Sequence, residues 1–194
     1  MQYAKFVRQV SGPYNLNTYL IICKETGKAV IIDPGGPTNS LIKYTRKKKI
    51  HPIKILNTHG HADQFFSTKK FKASIPIPSC LHTADDIFFK DINVQEKTRK
   101  AVGLPPPYPA DITLADHDVI EFGKTVLTVI HTPGHTPGSV CFLCEDHLFT
   151  GDAIFVGEAG RTDLPGGDLD QLIESIKTRI LSLPEKTIIH PGHH

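Results

Sequence analysis

The chain has 194 residues, enough for one domain to bury a core without disulfide or metal staples, and its 39% apolar and 22% charged content is ordinary for a globular protein. A formal charge of 22 − 20 = +2 is too small to argue for a nucleic-acid partner. The longest apolar runs, 19–23 and 126–130, have strand length rather than the length of a membrane span. The opening MQYAKFVRQV lacks the apolar core of a signal peptide, so a cytoplasmic location is expected.

In chain order, short runs of β-branched and apolar residues bounded by Gly, Pro, Asp or Thr predict strands at 3–10, 17–23 and 28–33. A helix is expected over 38–49, with Leu41, Ile42 and Tyr44 on its apolar side. Lys43, Arg46, Lys47, Lys48 and Lys49 form its solvated face and last turn, where cations suit the helix dipole. A strand at 53–57 runs into Thr58-His59-Gly60-His61-Ala62-Asp63, and helices are expected at 64–74 and 83–102. The proline-rich stretch 104–109 reads as a stiff connector, a seam near 104–110 between two halves of a single 1–194 domain. Strands follow at 119–122, 124–131, 139–144 and 147–150. Over 168–183, Leu169, Leu172, Ile173, Ile176, Ile180 and Leu183 recur at helical spacing behind Asp168 as N-cap, and a last strand occupies 187–190. Two mixed halves of this kind predict two sheets packed face to face with helices outside. Cys141-Phe142-Leu143-Cys144 has the spacing of a redox pair or half a zinc site, but it lies in a strand-like run with no second pair. It is read as buried structural thiols.

Eleven histidines are the unusual feature of the composition. Four predicted strands each end in a glycine-containing loop that carries His or Asp: His59, His61 and Asp63; His131 and His135; Asp152; His190 and His193. Loops fixed at the edge of a sheet are where sites are built. In His59-Gly60-His61-Ala62-Asp63, alternate residues of an extended segment point to one side and can grip one ion. Imidazole with carboxylate suits zinc, iron or manganese.

The segments THGHAD, HTPGHTPGS, FTGDAIF, GRTDLPGGD and the terminal PGH, in this order, make the chain similar to the metallo-β-lactamase fold hydrolases. Within them it resembles the short glyoxalase II branch, the hydroxyacylglutathione hydrolase-like proteins. The resemblance implies an α+β fold, a four-layer αββα sandwich of two mixed sheets with metals at one edge. It implies a first metal on His59, His61 and His135, with Asp152 bridging to a second on Asp63 and His193. The ions would be one or two Zn2+, with Fe2+ or Mn2+ as the other choices. Where the family has a histidine after the aspartate, this chain has Gln64, a neutral and poorer donor for zinc. The chain also stops at Pro191-Gly192-His193-His194, which reads as a truncated C-terminus or the start of a tag.

The activity so implied is hydrolysis of a small-molecule thioester, a glutathione conjugate of the S-lactoylglutathione type, by a metal-bound water, acidified to hydroxide, that Asp63 holds or deprotonates. Asp33, in the turn Asp33-Pro34-Gly35-Gly36, either serves the turn alone or orients a histidine. Arg161 either pairs with a glutathione carboxylate or with Asp163. Two other readings stand beside this one. Persulfide dioxygenases share the GRTD segment and hold one iron on two histidines and an aspartate, here His59, His135 and Asp152. The third is a protein that keeps its metal site for binding alone.

Overall fold

Every residue of the strand Leu16–Cys23 is buried, which requires both faces of its sheet to be covered. In this computed structural model, which describes residues 1–12, 14–96, 100, 103 and 109–193, that strand is β2 of a six-stranded sheet. The spatial order is β1 (Ala4–Ser11), β2, β3 (Lys28–Ile32), β4 (His51–Leu56), β5 (Ser79–His82) and β6 (Ile112–Leu114). The first three are antiparallel and β3 to β6 are parallel. A second sheet runs β11 (Ile188–Pro191), β10 (His147–Gly151), β9 (Val140–Cys144), β8 (Thr125–His131), β7 (Val119–Phe122). It is antiparallel except for the parallel pair β10–β11.

Because side chains alternate across a strand, each sheet feeds two cores. Tyr19, Ile21, Val30, Ile32 and Leu56 of the first sheet meet Leu127, Val129, Phe142 and Phe149 of the second. On the far side of the first sheet, Leu20, Ile22, Ala29, Ile31 and Ile55 pack under Leu41 and Ile42 of α1 (Asn39–Lys47) and Phe71 of α3 (Thr68–Ser74). On the far side of the second, Ile130, Cys141 and Leu148 pack under Leu172 of α5 (Leu169–Ser175) and Ile180 of the π-helical turn that continues it. Three apolar seams therefore separate four layers, helix, sheet, sheet, helix. Phe71 is fully buried, so its truncation to alanine removes roughly 3–5 kcal/mol.

Several elements differ from expectation. The helix expected over 64–74 is two pieces, α2 (Ala62–Phe65) and α3, because the Ser67 N–H leaves the helical ladder to donate to Pro34 O at 3.0 Å. The described part of 83–102 is a 3-10 turn (Thr83–Asp86), the single-turn α4 (Ile87–Lys90), a second 3-10 turn (Ile92–Gln95) restarted by Asp91, whose side chain accepts from the Asn93 N–H, and then Glu96 and Lys100, which are helical as expected. Residues 104–108 of the expected seam and His194 lie outside the described residues. β5 and β6 were not expected: at four and three residues they carry too little pattern to be seen. β6 follows the seam yet completes the first sheet, so the change of sheet falls between β6 and β7. The N-cap at Asp168 is as expected, its side chain accepting from the Gln171 N–H at 2.9 Å. All four cysteines are free and buried. Cys141 faces the outer core and Cys144 the inner one, so the pair cannot close on one ion, and burial pushes each thiol up to about 12. No helix among the described residues is long and apolar enough to cross a membrane.

Candidate metal centre

The C-terminal ends of β4, β8, β10 and β11 lie at one edge of the sandwich, and each continues into a loop bearing a histidine or aspartate. Two cross-links hold the sheets in register there. The Val140 N–H donates to Thr58 O at 2.8 Å, and the Asn17 N–H of β2 donates to Gly192 O at 2.7 Å. Tyr19 adds a hydroxyl donated to Pro191 O at 2.7 Å. The loop after β11 is thus clasped by the first sheet although its strand belongs to the second.

The orientation of three of the histidines follows from where the remote ring nitrogen goes. Asp33 sits in the left-handed region (φ 50°), an uncommon conformation for a residue with a side chain. Its carboxylate accepts both the Thr58 N–H and the Thr58 hydroxyl at 2.8 Å. With that hydroxyl proton committed, Thr58 Oγ1 accepts from His59 Nδ1 at 3.1 Å. His135 Nδ1 donates to the carbonyl of Arg161 at 2.7 Å, and His193 Nδ1 donates to the carbonyl of Tyr14 at 2.8 Å. In each ring Nδ1 is taken up by that contact, so Nε2 is the nitrogen presented to the centre.

The ring nitrogens converge. One donor atom from each of His59, His61 and His135 lies within 4.8 Å of the others, and all three residues are buried. His61 Nδ1 is 3.0 Å from His135 Nε2. Asp152 Oδ2 stands 4.0 Å from His59 Nε2, 3.6 Å from His135 Nε2 and 3.4 Å from His193 Nε2. Asp63 Oδ2 is 3.6 Å from His193 Nε2. Asp152 therefore touches both a nitrogen-only group and an Asp63–His193 group beside it.

Four buried polar atoms here have no hydrogen-bond partner among the described residues: His59 Nε2, His61 Nε2, Asp152 Oδ1 and Gln64 Oε1. An orphaned buried acceptor costs about 1–3 kcal/mol, and native structures hold few of them. Four at one place, with two carboxylates, fit a divalent cation of the transition series. The electrostatics agree. Burial keeps His59 neutral and, with repulsion from His135, pushes His61 down to about 4. Burial also opposes a charge on His193, yet hydrogen bonding to Asp152 and Asp63 outweighs it and raises the ring to about 11. The carboxylates thus draw whatever positive charge is available.

All the residues singled out in the sequence as first-position donors come together, and Asp63, Gln64 and His193 adjoin them. Arg161 does not point its side chain at the centre: its guanidinium forms a two-bond pair with Asp163, 2.7 Å in each bond, and is 61% exposed. It is the Arg161 carbonyl that touches a site histidine. Asp33 reaches His59 only through Thr58.

One residue escaped the sequence reading. Asp85 is fully buried and accepts from the Gly60 N–H at 2.7 Å, the Thr136 hydroxyl at 2.8 Å and the Gly138 N–H at 2.6 Å. It ties the loop of His59 and His61 to the loop of His135. The only hint was glycine at 60 and 138, where a Cβ would come within 3.1 Å and 2.7 Å of Asp85. Gly192 plays a similar part, since a Cβ there would lie 2.4 Å from Asp152 Oδ1.

A helix-sheet-sheet-helix sandwich with a histidine and aspartate centre on the loops at one edge defines a class of metal-dependent αββα proteins. The chain belongs to the Metallo-beta-lactamase superfamily, whose sequence profile matches residues 11–193. It is 32% identical to "Hydroxyacylglutathione hydrolase GloC" of Haemophilus influenzae over 181 residues, 89% of this chain and 83% of that protein. It is 31% identical to human "Persulfide dioxygenase ETHE1, mitochondrial" over 194 residues, 96% of this chain and 67% of that protein. Among solved structures it matches the BLEG-1 B3 metallo-beta-lactamase with TM-score 0.89 and 36% identity, covering 98% of this chain and 92% of that one. TTHA1623, solved in a di-iron-bound form, matches with TM-score 0.83 and 33% identity over 97% and 92% of the two chains. These relatives are consistent with the glyoxalase II-like branch of the superfamily.

Proposed function

We propose that this protein is a metal-dependent hydrolase of small-molecule thioesters, with a glutathione conjugate such as S-lactoylglutathione as substrate. The observation that carries the reading is the adjacency of two donor groups through Asp152: His59, His61 and His135 on one side, Asp63 and His193 on the other. The likeness to GloC supplies the substrate class. Zinc, iron or manganese held by these residues would supply Lewis acidity, polarising an acyl carbonyl and lowering the pKa of water.

The chain's own residues do the rest. Asp63 is the most open of the donors, its side chain 23% exposed against 10% for Asp152 and 1% for His59. Although buried for the most part, it is held ionised below the usual carboxylate range by its bond to His193. Its openness makes it the group placed to hold or deprotonate the attacking water. Asp33 through Thr58, and the carbonyls of Arg161 and Tyr14, turn the imidazoles of His59, His135 and His193 so that Nε2 faces the centre. Protein reconstituted separately with zinc, manganese and iron should release free thiol from S-lactoylglutathione. No release with any of the three refutes the assignment.

A second reading rests on His59, His135 and Asp152, two nitrogens each within 4.0 Å of one carboxylate, the donor set of a single non-haem iron. Gln64 beside the Asp63–His193 group favours it, because such an enzyme needs no second ion. Oxygen uptake by the iron-loaded protein with glutathione persulfide separates it from the hydrolase.

A further inference from the structure

The two donor groups at the centre differ in chemical hardness, and Gln64 is what makes them differ. His59, His61 and His135 offer nitrogen alone. Around His193, the neighbouring groups are the carboxylates of Asp63 at 3.6 Å and Asp152 at 3.4 Å and the carboxamide of Gln64, whose Nε2 is 3.4 Å from His193 Nε2. Gln64 is completely buried, and its Oε1 has no hydrogen-bond partner among the described residues; Asp152 Oδ1 shares that condition. Half a turn about the last side-chain bond of Gln64 exchanges its nitrogen and oxygen. As it stands, the amide nitrogen faces His193 Nε2 at 3.4 Å. Turned, it presents its oxygen there, where it can join the carboxylates of Asp63 and Asp152 and the His193 nitrogen around a cation.

We infer that the Asp63–Gln64–Asp152–His193 group is an oxygen-rich position that takes a hard divalent cation of the manganese kind, so that the filled centre holds two different metals. This rests on the reading of the site as a metal centre. Three oxygens and one nitrogen suit manganese or magnesium, whereas imidazole-rich sets suit zinc and iron. The two carboxylates balance a dication without any charge from Gln64. A buried carboxamide is also too short of basicity to hold zinc as an imidazole does, so zinc and manganese compete on more equal terms here than at the three-histidine position.

The test uses metal-free full-length protein titrated with Zn2+, with Mn2+, and with Mn2+ after one equivalent of Zn2+. Bound metal is read by elemental analysis after desalting and by the loss of the free Mn2+ signal in electron paramagnetic resonance. The wild type should retain one zinc and then take up one manganese. Gln64→His should bind a second zinc about tenfold tighter or more, and manganese no tighter than before. Gln64→Glu, which adds an oxygen charge, should tighten manganese relative to zinc. Two zincs bound by the wild type with affinities within about tenfold of each other would overturn the inference, as would zinc-loaded wild type that takes no manganese. At least one zinc retained in those cases leaves the metal-centre reading standing, whereas no zinc retained at all overturns both.

Discussion

Replacing Asp85 by asparagine preserves its shape while removing one acceptor, and the cost can be worked from its contacts. Oδ2 accepts from the Gly60 N–H and the Thr136 hydroxyl, and Oδ1 accepts from the Gly138 N–H at 2.6 Å. An amide oxygen can take one of these places, so in its better orientation Gly138 N–H meets an NH2 group in a fully buried setting. A donor stranded in this way costs about 1–3 kcal/mol. Asp85→Ala forfeits three bonds to a charged acceptor at roughly 1.5–3 kcal/mol each, offset by several kcal/mol no longer spent on burying the charge, for a net loss of about 2–4 kcal/mol. Guanidinium denaturation of the metal-free proteins measures both. Because Gly60 and Thr136 adjoin His59, His61 and His135, zinc affinity measured against a competing chelator should fall about tenfold in Asp85→Asn. A variant within about 0.5 kcal/mol of wild type and with unchanged zinc affinity would show that Asp85 does not tie the loops together.

Thr58→Val keeps the volume but removes the hydroxyl between Asp33 and His59; zinc affinity should drop roughly 10- to 100-fold, and an unchanged value would sink the orientation argument. A Cβ on Gly160 would lie 1.8 Å from Asp152 O and 3.3 Å from His135 Nδ1, so Gly160→Ala should destabilise by about 1–3 kcal/mol and lower metal content after purification, read by denaturation and elemental analysis. His190 stacks on His147, with His147 Nδ1 2.7 Å from its Nε2, and burial followed by repulsion from His147 lowers it to about 4. The unfolded chain binds this proton near pH 6.5 and the folded one only near 4, so the stability it contributes is complete above the first value and is lost as pH falls toward the second. The slope is at most about 1.4 kcal/mol per pH unit, and His190→Asn should remove it in denaturation of the metal-free protein; an identical slope in the variant would refute the assignment.

Much of this could be read from the sequence because it rests on local pattern. The runs that became β2, β8 and β10 are apolar enough to announce themselves, and a histidine or aspartate just beyond each strand end is visible as spacing. What stayed hidden was made by the backbone or by distance along the chain. The carbonyls of Tyr14 and Arg161 that receive protons from His193 and His135 are a chemistry every residue possesses, so nothing in those side chains points to it. Asp85 lies 25 residues from Gly60 and 51 from Thr136, inside a run whose pattern suggested one long helix. Inward contacts of that carboxylate, and the Asx turn at Asp91, divide 83–95 into short turns. Arg161 had two open roles on paper, and its pairing with Asp163 is the one the structure contains.

The same carbonyl contacts have a consequence for how such a protein can change. His135 and His193 are aimed by main-chain oxygens at positions 161 and 14, so exchanging the side chains there leaves the aiming intact as long as the backbone keeps its path. Both positions are exposed beside the centre, Arg161 through its side chain and Tyr14 with 44% of its surface in solvent. A library randomised at 14 and 161 would therefore vary the surface beside a donor set held constant. Side-chain chemistry can drift there while the aim of the two histidines is inherited unchanged.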